Sequence, residues 1–332
     1  RRLAALTCRA RAVTMTAPPG HTRSAMTALI SGSLAYDTIM VFNGRFRESI
    51  LPDKIHMLSV SFLVPELRRN FGGCAGNIAF NARLLGLETR VIAAVGDDFD
   101  SYETWMRRHG LSTASVRRID GLYTAQAYIT TDLEDNQITA FHPGAMSRSG
   151  ELTLPTDAAL SIGIVAPDSR EAMIVRAQQL ADAGVPFVFD PGQALPMFGG
   201  QDLEMFIDQA AWVVVNDYEG QLVQERTGLA PAQIAKRCRA YVVTHGGQGS
   251  TVYADGREVA IPPVRAERVV DPTGCGDAYR AGLLYGLTHG LDWETTGRVA
   301  SLMGALKIAH AGTQTHAFTF EEFATRYHAV FG

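Results

Sequence analysis

The segment DPTGCGD at residues 271–277 combines glycines and carboxylates immediately before a helix-like stretch of sequence. The pattern predicts a helix from about Cys275 to Thr288. The first amides of such a helix have no intrahelical acceptor, and the helix dipole makes that end positive. We therefore expect the amides of Gly274, Cys275 and Gly276 to form an anion site that a phosphate can approach closely.

Asp277 would lie beside this anion site, which is an unusual place for a carboxylate to face a phosphate. The arrangement makes sense if Asp277 instead faces a hydroxyl and accepts its proton while the hydroxyl attacks phosphorus. The alternative is that Asp277 only complements the positive end of the helix dipole. This segment alone leaves both interpretations open.

The composition is that of an ordinary soluble chain. It has 332 residues, 46% of them apolar and 19% charged, with a net charge of -4. This length permits one large α/β domain or two smaller ones. There is no long basic stripe, and no apolar run approaches the ~20 residues of a membrane span, so neither nucleic acid nor a membrane is an expected partner. The four cysteines form no C-x-x-C pair, which favours a reduced, cytoplasmic setting.

Apolar runs alternate with helical segments from residue 27 onward. Runs such as TRVIAAVG and AAWVVVN contain unbroken apolar stretches, and SREAMIVRAQQLADAG has helical character. This alternation predicts a doubly wound, mostly parallel sheet with helices on both faces. We expect one domain over residues 27–332. Residues 1–26 are expected to be a disordered or non-native tail, with a transit peptide as the alternative.

Two regions interrupt the alternation, at about residues 38–66 and 122–143. The second reads as a strand, a polar turn at 132–136 and a return strand. Because ligands of open α/β sheets bind outside the carboxyl ends of the strands, we predict that both regions form a small β-sheet lid there. An exposed lid strand would suit pairing with a second copy, so a homodimer through the lid is expected.

A second glycine cluster, FGGCAGNIAFNARLLG, lies at residues 71–86 and precedes another predicted helix. Together with DPTGCGDAYRAGLL at residues 271–284, it resembles the two signatures of the PfkB (ribokinase-like) family of ATP-dependent sugar and nucleoside kinases. The resemblance extends from about residue 27 to the C-terminus and implies a ribokinase-like α/β fold with a β lid. The matching positions are Gly72, Gly73, Ala75, Asn77, Ala79, Gly86 and Gly96 in the first signature, and Asp271, Gly274, Gly276, Asp277, Ala281 and Gly282 in the second.

The resemblance implies roles for individual residues of this chain. Asp277 would be the general base, and the anion hole would be formed by Gly274, Cys275 and Gly276. The implied substrate-binding residues are Ser33, Asp37, Gly72, Gly73 and Asn77. The implied ATP-binding residues are Asn216, Thr244, Gly246, Gly247 and Gly249. Glu219 would organise Mg²⁺ through water, and a monovalent cation, K⁺, would be held by Asp271 and Thr273.

Three of these positions carry an alternative or a departure from the family. Asp37 would also suit a turn, and Glu219 would also suit the first turn of a surface helix. Cys275 replaces the Ala, Gly or Ser that is usual in the family. A thiol at a helix N-terminus is expected to have a lowered pKa and to react readily with alkylating reagents.

The predicted activity is ATP-dependent phosphorylation of the 5′-hydroxyl of ribonucleosides such as adenosine, inosine, guanosine and cytidine, with a role in purine salvage. The apolar residues 39–42, directly after Asp37, favour a nucleoside because a base needs apolar walls. A free-sugar kinase of the ribokinase or fructokinase type is the alternative. A ligand-sensing protein without catalysis is a third class, which loss of Asp277 or of the glycine loop would have indicated.

Overall fold

The strands of the protein form two separate sheets. The structure, a computed structural model, describes residues 27–50, 59–134 and 136–332. The predicted tail at residues 1–26 and part of the first predicted lid region therefore lie outside the described residues. The strands, numbered along the chain, are β1 (Thr27–Ser31), β2 (Ala35–Val41), β3 (Glu66–Gly72), β4 (Glu88–Val95), β5 (Val116–Arg118), β6 (Ala125–Thr131), β7 (Gln137–His142), β8 (Leu160–Val165), β9 (Phe187–Phe189), β10 (Trp212–Asn216), β11 (Ala240–Thr244), β12 (Ser250–Ala254) and β13 (Arg257–Ile261).

Helices connect most of these strands. They are α1 (Phe46–Ser49), α2 (Cys74–Leu84), α3 (Asp100–Arg108), α4 (Arg170–Asp182), α5 (Gly200–Gln209), α6 (Asp217–Thr227), α7 (Pro231–Arg237), α8 (Cys275–Thr288), α9 (Trp293–Ile308) and α10 (Phe320–Phe331). Short 3-10 helices occur at Gly144–Glu151, Gly192–Met197 and Gly246–Gln248. Within the described ranges, none of the helices combines the length and apolar character that a transmembrane span requires.

The larger sheet has nine strands in the order β13-β12-β11-β10-β9-β8-β1-β4-β5. Neighbouring strands from β11 to β5 are parallel, and β12 and β13 add an antiparallel hairpin at one edge. Alternate strand residues belong to two different cores: Ile30 packs into one and Leu29 into the other. Both faces of the sheet are therefore covered, which explains why its strands are continuously apolar. The predicted doubly wound sheet is confirmed.

The smaller sheet has the strand order β3-β2-β6-β7. Strands β2 and β6 are parallel, whereas the β2–β3 and β6–β7 pairs are antiparallel. The prediction of a second, small sheet is therefore confirmed, with one difference. Strand β3 extends to Gly72, beyond the predicted region. Its charged sequence ELRRN lies at the exposed edge of the sheet and lacks an apolar pattern, so the sequence did not predict this strand.

Helices α8 and α9 pack against each other at a very short distance. A Cβ atom placed on Gly282 of α8 would lie 2.5 Å from the Cα atom of Ala300 in α9. Such a distance leaves no room for a side chain and involves backbone atoms that cannot easily move. Because this packing holds α8 against α9, Gly282 supports the position of the helix and of its first residues.

We expect Gly282→Ala to lower the free energy of unfolding by about 1–3 kcal/mol because the new methyl group overpacks this contact. The matched control is Gly304→Ala in α9, where the Cβ atom would meet its nearest neighbour, the Cys275 carbonyl oxygen, at 3.7 Å. That control should be neutral or stabilising by up to about 1 kcal/mol, since alanine suits a helix better than glycine. Denaturant unfolding measures both, and equal effects of the two substitutions would contradict the packing argument.

Candidate active site

A cavity of about 780 Å³ lies between the carboxyl ends of the parallel strands and the small sheet. The main sheet contributes residues at or just after the ends of its strands: Ser33, Asp190, Asn216 and Thr244. The small sheet contributes Asp37, Ala127, Thr139 and Phe141. This first cavity is at the place where the sequence predicted ligand binding. Residues 39–42, which were expected to face a base, are not among the described residues that line it.

The start of α8 forms one wall of the first cavity. Gly274 is the N-cap residue and has a φ of 78°, a left-handed conformation that glycine adopts without strain. Gly274, Gly276 and Asp277 all line the cavity, and the helix begins at the predicted residue. The amide of Cys275 was expected to be free to bind an anion. It instead donates a hydrogen bond to the carbonyl oxygen of Pro272 at 3.2 Å.

A chain of side-chain amides holds Asp277. Its Oδ2 accepts a hydrogen bond from Asn77 Nδ2 at 2.8 Å, and Asn77 Oδ1 accepts one from Gln314 Nε2 at 3.0 Å. Gln314 Oε1 accepts in turn from Trp105 Nε1 at 3.1 Å. The indole can only donate, so it sets the orientation of each amide in the chain. Asn77 therefore directs a donor at Asp277, and Gln314 is a site residue that sequence analysis missed.

Opposing influences act on the protonation of Asp277. Burial raises the pKa of Asp277 to about 7. The hydrogen bond from Asn77 lowers this pKa, the charge of Asp190 raises it, and the charge of Arg280 lowers it. The result is a carboxyl group that exchanges a proton near neutral pH, which suits a general base.

Arg280 and Asp190 form a buried ion pair next to Asp277. Arg280 Nε and Nη2 donate to the two carboxylate oxygens of Asp190 at 3.0 and 2.9 Å. Arg280 Nη2 also lies 3.9 Å from Glu219 Oε2. Sequence analysis did not select Arg280, although its position three residues after Asp277 puts both on one helix face.

The predicted substrate-binding residues lie around one side of the first cavity. Ser33, Asp37, Gly73 and Asn77 line it, and Gly72 lies beneath the Asp37 carboxylate. A Cβ atom on Gly72 would lie 2.3 Å from Asp37 Oδ2, so a side chain there would displace the carboxylate. Burial, and then the charge of Asp271, raises the pKa of Asp37 to about 6. Asp37 is thus a partly buried acceptor on β2 and not a turn residue.

A second cavity, of about 550 Å³, lies on the other side of the start of α8. The predicted residues Thr244, Gly246, Gly247 and Gly249 line it. Much of the remaining wall is apolar and includes Val264, Val269, Ala305 and Ile308. The two cavities share Thr244, Gly246 and Gly276, so they meet at the predicted anion site. Asn216 lines the first cavity only.

The N-x-x-E segment forms a capping box at the start of α6. Glu219 Oε2 accepts from the Asn216 amide at 2.8 Å, and Asn216 Oδ1 accepts from the Glu219 amide at 2.7 Å. Glu219 lines the first cavity, and burial followed by the charge of Asp190 raises its pKa. Among the residues that the structure describes, no group of three or more His, Cys, Asp or Glu side chains is arranged to hold a metal ion. Any Mg²⁺ would therefore need water or substrate phosphates among its ligands. Mg²⁺ commonly binds in this way and not in a cage of protein side chains alone.

The loop before α8 is held by the Asp271 carboxylate. Its Oδ1 accepts from the Thr273 amide at 2.9 Å and its Oδ2 from the Gly312 amide at 2.8 Å. Burial alone would raise the pKa of Asp271, but these two hydrogen bonds leave it lowered. The side chain of Lys307 reaches the same loop, a contact that the sequence did not predict.

The expected lowering of the Cys275 pKa is wrong. Burial raises the pKa of its thiol to about 11, an effect that Lys307 opposes and Asp271 and Asp277 reinforce. The helix N-terminus alone would favour the thiolate, but removing the sulfur from water and placing it near two carboxylates outweighs that preference. Cys275 is therefore a half-buried thiol that lines the second cavity and is mostly protonated at neutral pH.

These features define an α/β protein in which a half-buried carboxylate lies at a helix N-terminus where two cavities meet. The sequence model described as pfkB family carbohydrate kinase matches residues 37–319, and the chain belongs to that family. The predicted family and the ribokinase-like fold are thereby confirmed.

Individual relatives are more specific. A solved structure of Burkholderia thailandensis nucleoside kinase in complex with inosine is 51% identical, covers 92% of this chain and 98% of its own, and has a TM-score of 0.83. The same kinase in complex with ADP-inosine is 52% identical, with coverage of 92% and 96% and a TM-score of 0.81. The nucleoside kinase of Methanothermobacter thermautotrophicus is 30% identical over 301 residues, or 89% of this chain and 97% of the relative.

We expect Arg280→Met to lower the free energy of unfolding by about 3–5 kcal/mol because it leaves the Asp190 carboxylate buried without a partner. The double substitution Arg280→Met with Asp190→Leu should recover part of that loss, since the unpaired Asp190 charge is gone while Glu219 and Asp277 still lose a neighbouring positive charge. Chemical denaturation of the three proteins tests this. As a control, Arg83→Met removes an exposed ion pair with Glu88 and should cost less than about 1 kcal/mol. Equal costs at Arg280 and Arg83 would contradict the result expected for a buried pair.

Proposed function

We propose that this protein is an ATP-dependent nucleoside kinase that transfers the terminal phosphoryl group of ATP to the 5′-hydroxyl of a ribonucleoside. The observation that carries the proposal is the 51% identity, over 92% of this chain, to a nucleoside kinase whose structure contains inosine. The geometry supports it, because two cavities that could hold a nucleoside and ATP meet at the start of α8.

Asp277 acts as the general base in this proposal. The nucleoside hydroxyl gives its proton to Asp277 while its oxygen bonds to phosphorus, and ADP leaves with the electrons of the broken P–O bond. Asn77 holds the carboxylate through its hydrogen bond to Oδ2. The amides of Gly274 and Gly276 stabilise the charge that develops on the phosphoryl oxygens.

The nucleoside occupies the first cavity. Asp37 accepts hydrogen bonds from the ribose hydroxyls, and Ser33 and Gly73 line the same side. Ala127 and Phe141 of the small sheet provide apolar contact for the base. The small sheet acts as a lid that excludes water, which prevents wasteful hydrolysis of ATP.

ATP occupies the second cavity, with its adenine against the apolar wall and its phosphates directed at Gly246 and Gly276. Mg²⁺ would be held through water by Glu219, together with the phosphates of ATP. When bound, the ion neutralises charge on the transferred group. Glu219 then has two tasks, because its carboxylate also caps α6.

The proposal extends to the cell compartment and the assembly, each supported by one observation. The described cysteines Cys74, Cys238 and Cys275 are free thiols, as expected of a protein in the reducing cytoplasm. Strand β7 is an edge of the small sheet and all its residues are exposed. We assign the protein to the cytoplasm and propose a homodimer through this sheet, which sedimentation velocity would test.

An ATP-consumption assay with adenosine, inosine, guanosine, cytidine, ribose and fructose tests the substrate class. We expect the highest kcat/KM for a nucleoside. A higher kcat/KM for ribose or fructose than for every nucleoside would replace the proposal by a free-sugar kinase, and turnover of none would favour a ligand-sensing protein.

We expect Asp277→Asn to lower kcat by about 10²–10⁴, the usual contribution of a positioned general base, while nucleoside binding persists. In the wild type, Asp277 is protonated below its pKa of about 7 and cannot accept a proton, so kcat/KM should increase as pH rises through that value. Steady-state kinetics and calorimetric titration measure these effects. Loss of less than about fivefold in kcat would exclude Asp277 as the base.

Asp37→Ala should raise KM for every ribonucleoside by about 10- to 100-fold, because two ribose hydroxyls lose their charged acceptor. For the same reason, 2′-deoxynucleosides should be poor substrates of the wild type and should lose less from the substitution. Base identity should matter less, since apolar contacts discriminate weakly. Asp157→Ala, at an exposed carboxylate, is the control. If both variants leave KM unchanged, Asp37 does not bind the ribose.

A further inference from the structure

Lys307, near the end of α9, has a completely buried side chain. Its ammonium group donates to the Asp271 carbonyl oxygen at 2.7 Å and to the His310 carbonyl oxygen at 3.4 Å. It also lies 3.9 Å from Asp271 Oδ2. Lysine is almost never fully buried without partners, because taking its charge out of water is costly. A position among these oxygens offsets part of that cost, although burial still lowers the pKa of Lys307.

These oxygens belong to the two segments that meet just before the anion site. The Asp271 carboxylate accepts the amide of Gly312, and the Ile308 carbonyl oxygen accepts the amides of Val270 and Asp271 at 2.9 and 3.2 Å. Lys307 therefore joins the end of α9 to the loop that begins α8. It brings one fixed positive charge close to the start of α8, where we propose that the phosphates of ATP bind.

Asp271 is also one of the two residues, with Thr273, at which the family resemblance places K⁺. In this chain the Asp271 carbonyl oxygen already binds an ammonium group, and both carboxylate oxygens accept backbone amides. An additional cation there would have to displace Lys307 or lie against its charge. The residues present therefore do not fit K⁺.

We propose that the ammonium group of Lys307 takes the place of the monovalent cation, so that phosphoryl transfer by this protein does not depend on K⁺. The proposal rests on the nucleoside kinase function above. An ammonium group resembles K⁺ in charge and in its preference for carbonyl oxygens. Because it is tethered to α9, it is present at every turnover and loses no translational freedom on binding. It keeps the loop from Asp271 to Gly274 in the shape that the anion site requires.

The first test compares wild-type rates in K⁺, Na⁺ and tetramethylammonium salts at equal ionic strength. We expect rates that agree within about twofold, because surface screening is then the same in each buffer. Activation of the wild type by K⁺ well beyond this range would overturn the proposal.

The second test uses Lys307→Ala, which removes the charge and leaves space among the carbonyl oxygens. Without K⁺ we expect a loss of about 10- to 100-fold in kcat, since charged hydrogen bonds are lost near the phosphates. K⁺ or NH₄⁺ should restore much of the rate, and Li⁺ should not. K⁺ should also raise the Tm of this variant relative to Na⁺, while leaving the wild-type Tm unchanged.

Two further variants separate this role from simple packing. Lys307→Met keeps most of the volume without the charge, so it should show the same loss of rate but no recovery with K⁺. Lys236→Ala removes an exposed lysine and should behave as wild type. A folded Lys307→Ala protein whose rate and Tm both ignore K⁺ would contradict the proposal. If the alanine variant does not fold, a Lys307→Met protein with the wild-type rate would contradict it.

The Tm measurement distinguishes failure of this inference from failure of the proposed function. If the wild type phosphorylates no nucleoside in any salt, the kinase proposal fails. A rise in the Tm of Lys307→Ala with K⁺ would still show that the ammonium group occupies a cation site.

Discussion

The half-buried carboxylate of Asp277 is the constraint on which the rest of the site depends. A carboxylate out of water is stable only if hydrogen bonds and opposite charges surround it, and each of those groups must also be satisfied. Asn77 supplies the hydrogen bond and Arg280 the positive charge. Arg280 is balanced in turn by Asp190 and Glu219. The arrangement leaves Asp277 with a pKa of about 7, so it is stable in the fold yet able to accept a proton.

The partners of Asp277 come from elements that only the main sheet brings together. Asn77 lies in α2, Asp190 follows β9, Glu219 lies in α6 and Arg280 lies one turn along α8. Parallel strands end on the same edge, so the segments after them converge there. The close contact at Gly282 then sets the depth at which α8 begins. The packing that supports the site thus lies about one and a half turns beyond Asp277 in the same helix.

Charge at the start of α8 is balanced on both sides of the helix. Asp277 and its carboxylate neighbours face the first cavity, whereas Lys307 holds the preceding loop from behind. The amides that point between them add positive potential without adding a mobile ion. In the function that we propose, an anionic phosphate and the reacting hydroxyl approach one helix end from two different cavities. That division would account for a carboxylate beside the predicted anion site.

The sequence by itself determined the local features of this protein. The start of α8, the anion-site glycines, the apolar parallel strands and the position of Asp37 after β1 all follow from nearby residues, since propensity, capping and periodicity act over a few positions. Tertiary structure decided which distant side chains meet. Gln314 orients Asn77, Asp190 pairs with Arg280, and Lys307 reaches Asp271. Tertiary structure also raised the pKa of Cys275, which the sequence predicted to be lowered. Burial depends on everything packed around the thiol, so a local sequence pattern does not predict it.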